Sequence, residues 1–168
     1  MVIWLIGLSG VGKTTIGKEL NSIFKRKYSN TVFLDGDLLR KVWGDNVGHS
    51  IEGRRINAHR ISYLSKMLDE QGINVIACVL SLFPEWQIWN RKNFKKYFQV
   101  YLYSPLAFLK MQDDKELYKK ALEGTLKNVV GVDIEFPEPK SSDLTIDNSL
   151  RDFTPKELAE KIFKLIES

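Results

Sequence analysis

The chain has 168 residues, enough for one domain with its own core, and 43% hydrophobic and 27% charged residues exclude a disordered or fibrous protein. Its 25 Lys and Arg against 21 Asp and Glu leave a formal charge of +4. That excess suits an anionic small molecule in a cationic cleft and does not point to a nucleic-acid partner.

Met1 to Ile6 is a short apolar run with a glycine beyond it, which predicts a buried strand over Val2 to Ile6. It is too short for a signal peptide or a membrane span, so a cytoplasmic protein without membrane association is expected. A helix is predicted from about Lys13 to Lys27, with Ile16, Leu20, Ile23 and Phe24 along one face. Thr31 to Leu34 reads as a second strand, ending at Asp35-Gly36-Asp37. Ile56, Ile61, Leu64 and Leu68 recur at helical spacing between Ile51 and Gln71, and Gly72 ends that helix. Ile73 to Leu80 is the third strand and contains Cys78, the only cysteine, read as a buried thiol. A helix from about Glu85 to Lys96 leads into a fourth strand, Phe98 to Tyr103, and Thr145 to Asp147 suggests a fifth. Thr154 is placed to cap a last helix, Pro155 to Ile166.

Strands alternating with helices predict an α/β fold: a five-stranded parallel sheet covered on both faces, in one domain spanning residues 1–168. Met111 to Ser142 is polar, rich in Gly and Pro, and too long for an ordinary connection. It is expected to be a lid that excludes water from the chemistry.

The chemistry begins at Gly7-Leu8-Ser9-Gly10-Val11-Gly12-Lys13-Thr14, which satisfies G-x-x-x-x-G-K-[ST], with Thr15 following at the helix start. The glycines let the backbone curl so that amide hydrogens face phosphate oxygens. Lys13 is placed to bridge the β- and γ-phosphates of ATP, and the Thr14 hydroxyl to take a place on Mg²⁺. The positive end of the helix that begins there adds to the site. No Asp-x-x-Gly follows the third strand and no Asn-Lys-x-Asp occurs, which argues against a GTPase.

Asp35 and Asp37 fall at the carboxyl end of the second strand, the edge where α/β sheets bind ligands. There they can orient or deprotonate an acceptor hydroxyl, or receive metal-bound water; the plainer reading is a turn built on Gly36. Arg40, Arg54 and Asn57 follow, with Arg60 or Ile61 on the same side of the predicted helix. Arginines there suit a multiply charged acceptor, or else pair with surface carboxylates.

These segments resemble the adenylylsulfate kinases, from the phosphate loop to about Ile134. The motifs that carry the likeness are Gly7-Leu8-Ser9-Gly10, Asp35-Gly36-Asp37-x-x-Arg40, Arg54-x-x-Asn57, Lys115-x-Leu117-Tyr118-Lys119-Lys120-Ala121 and Lys127-Asn128-x-x-Gly131. The resemblance implies a P-loop nucleoside triphosphate hydrolase fold, ATP and Mg²⁺ as cofactors, and a homodimer. It implies transfer of the γ-phosphate to the 3′-hydroxyl of a small nucleotide acceptor. Asp35 would orient or deprotonate that hydroxyl, and Asp37 would support the Mg²⁺ region beside Thr14. Arg40, Arg54 and Asn57 would hold the acceptor's anionic end, with Lys115 and Lys127 reaching in from the lid.

Departures from the family pattern fall on ligand-reading positions. Two phenylalanines of the family sandwich the acceptor's adenine; their places are held by His49, in Gly48-His49-Ser50, and Val129, in Lys127-Asn128-Val129-Val130-Gly131. Leu80-Ser81-Leu82-Phe83-Pro84 lacks the arginine of the family segment, leaving Ser81 as the acceptor contact there. Gln112 stands where an arginine is expected against the adenine of ATP. Loss of both rings removes stacking worth roughly 1–3 kcal/mol per face. The pattern is therefore closer to that of a related capsule-pathway enzyme type, the cytidine diphosphoramidate kinases. A cytidine 5′-diphosphate-type acceptor is expected, with adenylylsulfate as the alternative and a non-catalytic nucleotide-binding regulator as the alternative of another class.

Overall fold

The computed structural model describes residues 1–44, 47–113 and 116–168. Five strands, β1 (Val2–Ile6), β2 (Thr31–Asp35), β3 (Asn74–Val79), β4 (Tyr97–Tyr103) and β5 (Leu144–Asp147), form one sheet in the order β2-β3-β1-β4-β5. Every pairing in it is parallel. The helices are α1 (Lys13–Lys27), α2 (Gly36–Val42), α3 (Ile51–Glu70), α4 (Pro84–Asn93), α5 (Leu106–Met111), α6 (Leu117–Leu122) and α7 (Pro155–Glu167). This is the predicted α/β architecture, a parallel sheet with helices on both faces and the glycine-rich loop between β1 and α1.

All of β1 is buried, and its alternation divides the core. Ile3 and Leu5 face α1 and α7, with Ile16, Leu20, Phe24, Leu158 and Ile162. Val2, Trp4 and Ile6 face the opposite layer, with Leu39 and Ile61. Helix α1 lies close against the sheet because Gly17 has no side chain: a Cβ there would stand 2.3 Å from Cys78 Sγ and 2.9 Å from Phe33 Cε2. Cys78 is buried as expected; its thiol donates to Lys13 O at 3.1 Å, and desolvation pushes its pKa well up, so it stays protonated.

The structure departs from the sequence reading in several elements. Asp35-Gly36-Asp37 is more than a turn, because Asp35 caps α2, a helix the periodicity did not reveal. Helix α4 stops at Asn93, short of the predicted Lys96, because the Asp69 carboxylate takes the Lys95 N–H at 2.8 Å and turns the chain toward β4. Within Met111 to Ser142, read as irregular, Leu117–Leu122 is helical, with the Asp113 carboxylate accepting from the N–H groups of Leu117, Tyr118 and Lys119. The last helix forms with the expected Thr154 cap, closed by Glu157 into a capping box.

Candidate active site

The carboxyl ends of β1, β2 and β3 open into a cleft of about 710 Å³, walled by α3 on one side and by Gln112, Asp113, Leu117, Leu126, Val129 and Val130 on another. Its phosphate-facing floor is the loop between β1 and α1. Gly7, Gly10 and Gly12 have φ of 144°, 81° and 102°, in the left-handed region that favours glycine. At Gly7 a side chain is also excluded by space, since a Cβ would sit 2.3 Å from Leu102 O.

The carbonyls of this loop are taken one after another. Lys13 Nζ donates to Gly7 O (2.8 Å) and Leu8 O (2.7 Å), and Tyr118 Oη to Ser9 O (2.8 Å). Arg151 Nη2 reaches Gly10 O at 3.4 Å, and Asn148 Nδ2 donates to Val11 O at 2.9 Å. In a trans peptide the next N–H points opposite to the carbonyl, so holding the oxygens back turns the amide edge toward the cleft. Helix α1 begins at Gly12 with no side-chain cap and no acid in its first turn, which leaves its first N–H groups to an anion. These features fit the triphosphate of ATP, whose transferable phosphoryl group is the chemistry it supplies.

Thr14 Oγ1 donates to Asp35 Oδ2 at 2.7 Å, and Asp35 Oδ1 accepts from Asp37 N (3.0 Å) and Leu38 N (3.1 Å). One carboxylate thus joins the phosphate loop to the acceptor side of the cleft. Among the described residues no group of three or more His, Cys, Asp or Glu stands ready to hold a metal. A hydroxyl and one or two carboxylates beside a triphosphate fit Mg²⁺, which keeps waters and uses phosphate oxygens instead of a protein cage. Thr14, Asp35 and Asp37 are the side chains that would hold it or its waters.

The acceptor side is cationic. Arg40 Nη1 donates to the carbonyls of Val47 and Gly48; Arg54 donates from Nε to His49 O (2.8 Å) and from Nη2 to Asn128 O (2.7 Å). Neither makes an ion pair among the described residues, contrary to a surface salt-bridge role. Burial lowers the pKa of both, and the nearby Arg40 charge lowers that of Arg54 further. Asp37 offsets that only in part, and half-buried guanidiniums held by carbonyls with no direct carboxylate contact among the described residues are relieved by an anion, which is the physical content of an anion site. His49 is likewise pushed below its ordinary 6.5, by desolvation first and then by Arg40 and Arg54, so its imidazole is neutral at neutral pH.

Of the residues singled out in the sequence, Ser9, Gly10, Gly12, Lys13, Thr14 and Thr15 line the cleft with Asp35, Asp37, Arg40, His49, Arg54, Asn57, Ser81, Gln112 and Val129. Ser81 is held at φ 58°, the kind of backbone strain found at ligand sites. Gly7 and Val11 form the back of the loop, Val11 being packed into the core. Lys127 and Asn128 do not line the cleft: Lys127 is exposed, and Asn128, at φ 64°, turns its carbonyl to Arg54. Lys115 lies outside the described residues. Between Arg60 and Ile61, Ile61 faces the cleft, while Arg60 lies over the Trp43 ring at 5.9 Å.

Sequence reasoning missed Tyr118, Asn148 and Arg151, the outside donors that hold the phosphate loop. It also missed Asp133, whose carboxylate accepts from Asn128 N and Val129 N and shapes the wall opposite α3. Two of them carried a signal: Tyr118 lies in one of the motifs shared with the family, and Asn148 lies directly after β5 at the ligand edge of the sheet.

Fold and site together define an ATP-dependent kinase that phosphorylates a nucleotide acceptor. The adenylylsulphate kinase family profile matches residues 1–147, and the chain belongs to that family. It is 42% identical to a cytidine diphosphoramidate kinase of Campylobacter jejuni over 98% of this chain and 94% of that one. It is 33% identical to a probable adenylyl-sulfate kinase of Pyrococcus abyssi, over 96% of this chain and 92% of the relative. The structure of Mycobacterium tuberculosis APS kinase in complex with AMPPNP and APS superposes with a TM-score of 0.89 at 29% identity, covering 99% of this chain and 97% of that one. No helix among the described residues is long and apolar enough to cross a membrane.

Proposed function

We propose that the protein moves the γ-phosphate of ATP to the ribose 3′-hydroxyl of a cytidine 5′-diphosphate-type acceptor, with cytidine diphosphoramidate as the preferred substrate. The observation that carries this reading is Val129: it is 3% exposed, lines the cleft, and stands where the family resemblance calls for a ring against adenine. The opposite clamp position holds His49, a neutral imidazole with its own polar edge. A pyrimidine offers less stacking area than a purine and more of its recognition through hydrogen bonds, which suits such a site. The 42% identity to a cytidine diphosphoramidate kinase supports the same choice.

In this reading the loop amides, Lys13 and the start of α1 hold the triphosphate, and Arg40, Arg54 and Asn57 hold the acceptor's phosphates. Asp35 receives the 3′-hydroxyl proton as that oxygen bonds to the γ-phosphorus and the bond to the β-phosphate oxygen breaks. Asp37 and Thr14 serve the metal. Gln112, on the lid side, faces the ATP base. The protein acts as a homodimer in the cytoplasm, the dimer being checked by sedimentation at working concentration.

The comparisons weigh toward a second reading, adenylylsulfate as acceptor: the profile match over residues 1–147 and the likeness to a structure containing APS both favour it. A side-by-side assay with Mg²⁺ATP separates the two, the new phosphate being located by phosphorus NMR. Under the proposal kcat/KM for cytidine diphosphoramidate exceeds that for adenylylsulfate by about tenfold to a hundredfold, or roughly 1.4–2.7 kcal/mol. Equal or better use of adenylylsulfate removes the cytidine assignment. A phosphate anywhere but the 3′-oxygen removes the mechanism as well.

A further inference from the structure

The cleft does not end at the arginines. Arg54, Asn57, Ala58, Ile61 and Ser62 form one stripe of α3 at helical spacing, and all of them line it. At the helical rise, the eight steps from Arg54 to Ser62 cover roughly 12 Å. Trp4, on β1 in the sheet beneath, lines the cleft as well and packs in the same core layer as Ile61. The mouth is cationic, whereas Trp4, Ala58, Ile61 and Ser62 at the far end carry no charge.

That far end nevertheless holds two polar groups without partners among the described residues. Trp4 and Ser62 are 3% and 0% exposed, and neither Trp4 Nε1 nor Ser62 Oγ makes a hydrogen bond among the described residues. Buried donors are ordinarily paired, and a serine within a helix commonly bonds the carbonyl one turn back; Ser62 does neither. An indole N–H only donates, and a hydroxyl donates and accepts. Together they match the oxygens, or an oxygen and an N–H, of a small terminal group.

We infer that Trp4 Nε1 and Ser62 Oγ form a neutral subsite for the group carried beyond the acceptor's 5′-phosphate. The subsite rests on the nucleotide-acceptor reading and is independent of which base that acceptor carries. With the base against His49 and Val129 and the 5′-phosphate held by Arg40, Arg54 and Asn57, the group beyond that phosphate is carried along the α3 stripe to Ser62. A terminal phosphoramidate and a terminal sulfate share the oxygen acceptors that this floor recognises, and the test below distinguishes them.

Dissociation constants are measured by calorimetry for cytidine diphosphoramidate and for cytidine monophosphate, which lacks the terminal group, on wild type, Ser62→Ala and Trp4→Phe. The expected result is that each variant reduces the preference for the longer ligand about tenfold. Equal weakening of both ligands, or an unchanged preference, overturns the subsite. Thermal unfolding of the ligand-free protein gives a second readout: Ser62→Ala, which breaks no hydrogen bond among the described residues, keeps or raises Tm, and a lowered Tm reveals a structural partner and also overturns it. Should wild type bind neither cytidine nucleotide, the proposed acceptor fails alone, and adenylylsulfate against adenosine monophosphate puts the same question to the subsite.

Discussion

Asp35 does two things that substitution can separate. Its Oδ1 caps α2 through the N–H groups of Asp37 and Leu38, and its Oδ2 receives the Thr14 hydroxyl. Asn caps a helix as well as Asp does, so Asp35→Asn keeps α2 and holds stability within a few tenths of a kcal/mol. Asp35→Ala loses the cap and the Thr14 contact, together about 1–2 kcal/mol, which lowers Tm by about 2–8 °C in a chain of this size. Turnover responds differently. An amide cannot take the 3′-hydroxyl proton, so kcat falls about 10²- to 10⁴-fold in both variants, equivalent to roughly 2.7–5.4 kcal/mol. The assay is steady-state phosphoryl transfer with the better acceptor, alongside thermal melts and ATP binding, which Asp35→Asn leaves near normal. An Asp35→Asn protein that keeps kcat within about threefold and raises only KM refutes the assignment and moves the base to Asp37.

Two further outcomes follow from the packing and electrostatics. Gly17→Ala meets Cys78 Sγ at 2.3 Å and Phe33 at 2.9 Å, so overpacking of about 1–3 kcal/mol outweighs the helix propensity it gains; Cys78→Ala in the same chain restores part of the Tm, and equal Tm losses with and without it would show that the crowding lies elsewhere. His49 titrates below 6.5 in the ligand-free protein, because burial and the charges of Arg40 and Arg54 disfavour its imidazolium. Since its folded pKa is depressed, its contribution to stability is present above about 6.5 and is lost as pH falls through the folded value. Arg54→Ala removes one opposing charge and moves the imidazole midpoint up in an NMR titration, whereas an unmoved midpoint would place His49 away from the arginine.

Features that depend on neighbours in the chain were legible from the residues alone. The phosphate loop is one: its glycines, lysine and threonine specify a backbone path and a helix start within eight positions. Strand and helix order is another, because burial on both faces requires continuous apolar runs such as Ile3 to Ile6 and helices with a single apolar stripe. Asp35 was found because a carboxylate at a strand's carboxyl end lies at the ligand edge of a parallel sheet.

Other features came only with the tertiary structure. Tyr118, Asn148 and Arg151 reach the loop carbonyls across 109, 137 and 141 positions of sequence, and no local pattern encodes a hydrogen bond between residues so far apart. Lys127 looked like a lid cation, but the left-handed turn at Asn128 brings the backbone to Arg54 in its place. The sequence of α3 shows that Ser62 shares a face with Arg54. Whether a hydroxyl on that face finds a partner depends on the tertiary packing, which leaves Ser62 Oγ, like Trp4 Nε1 of the same cleft, without a hydrogen bond among the described residues.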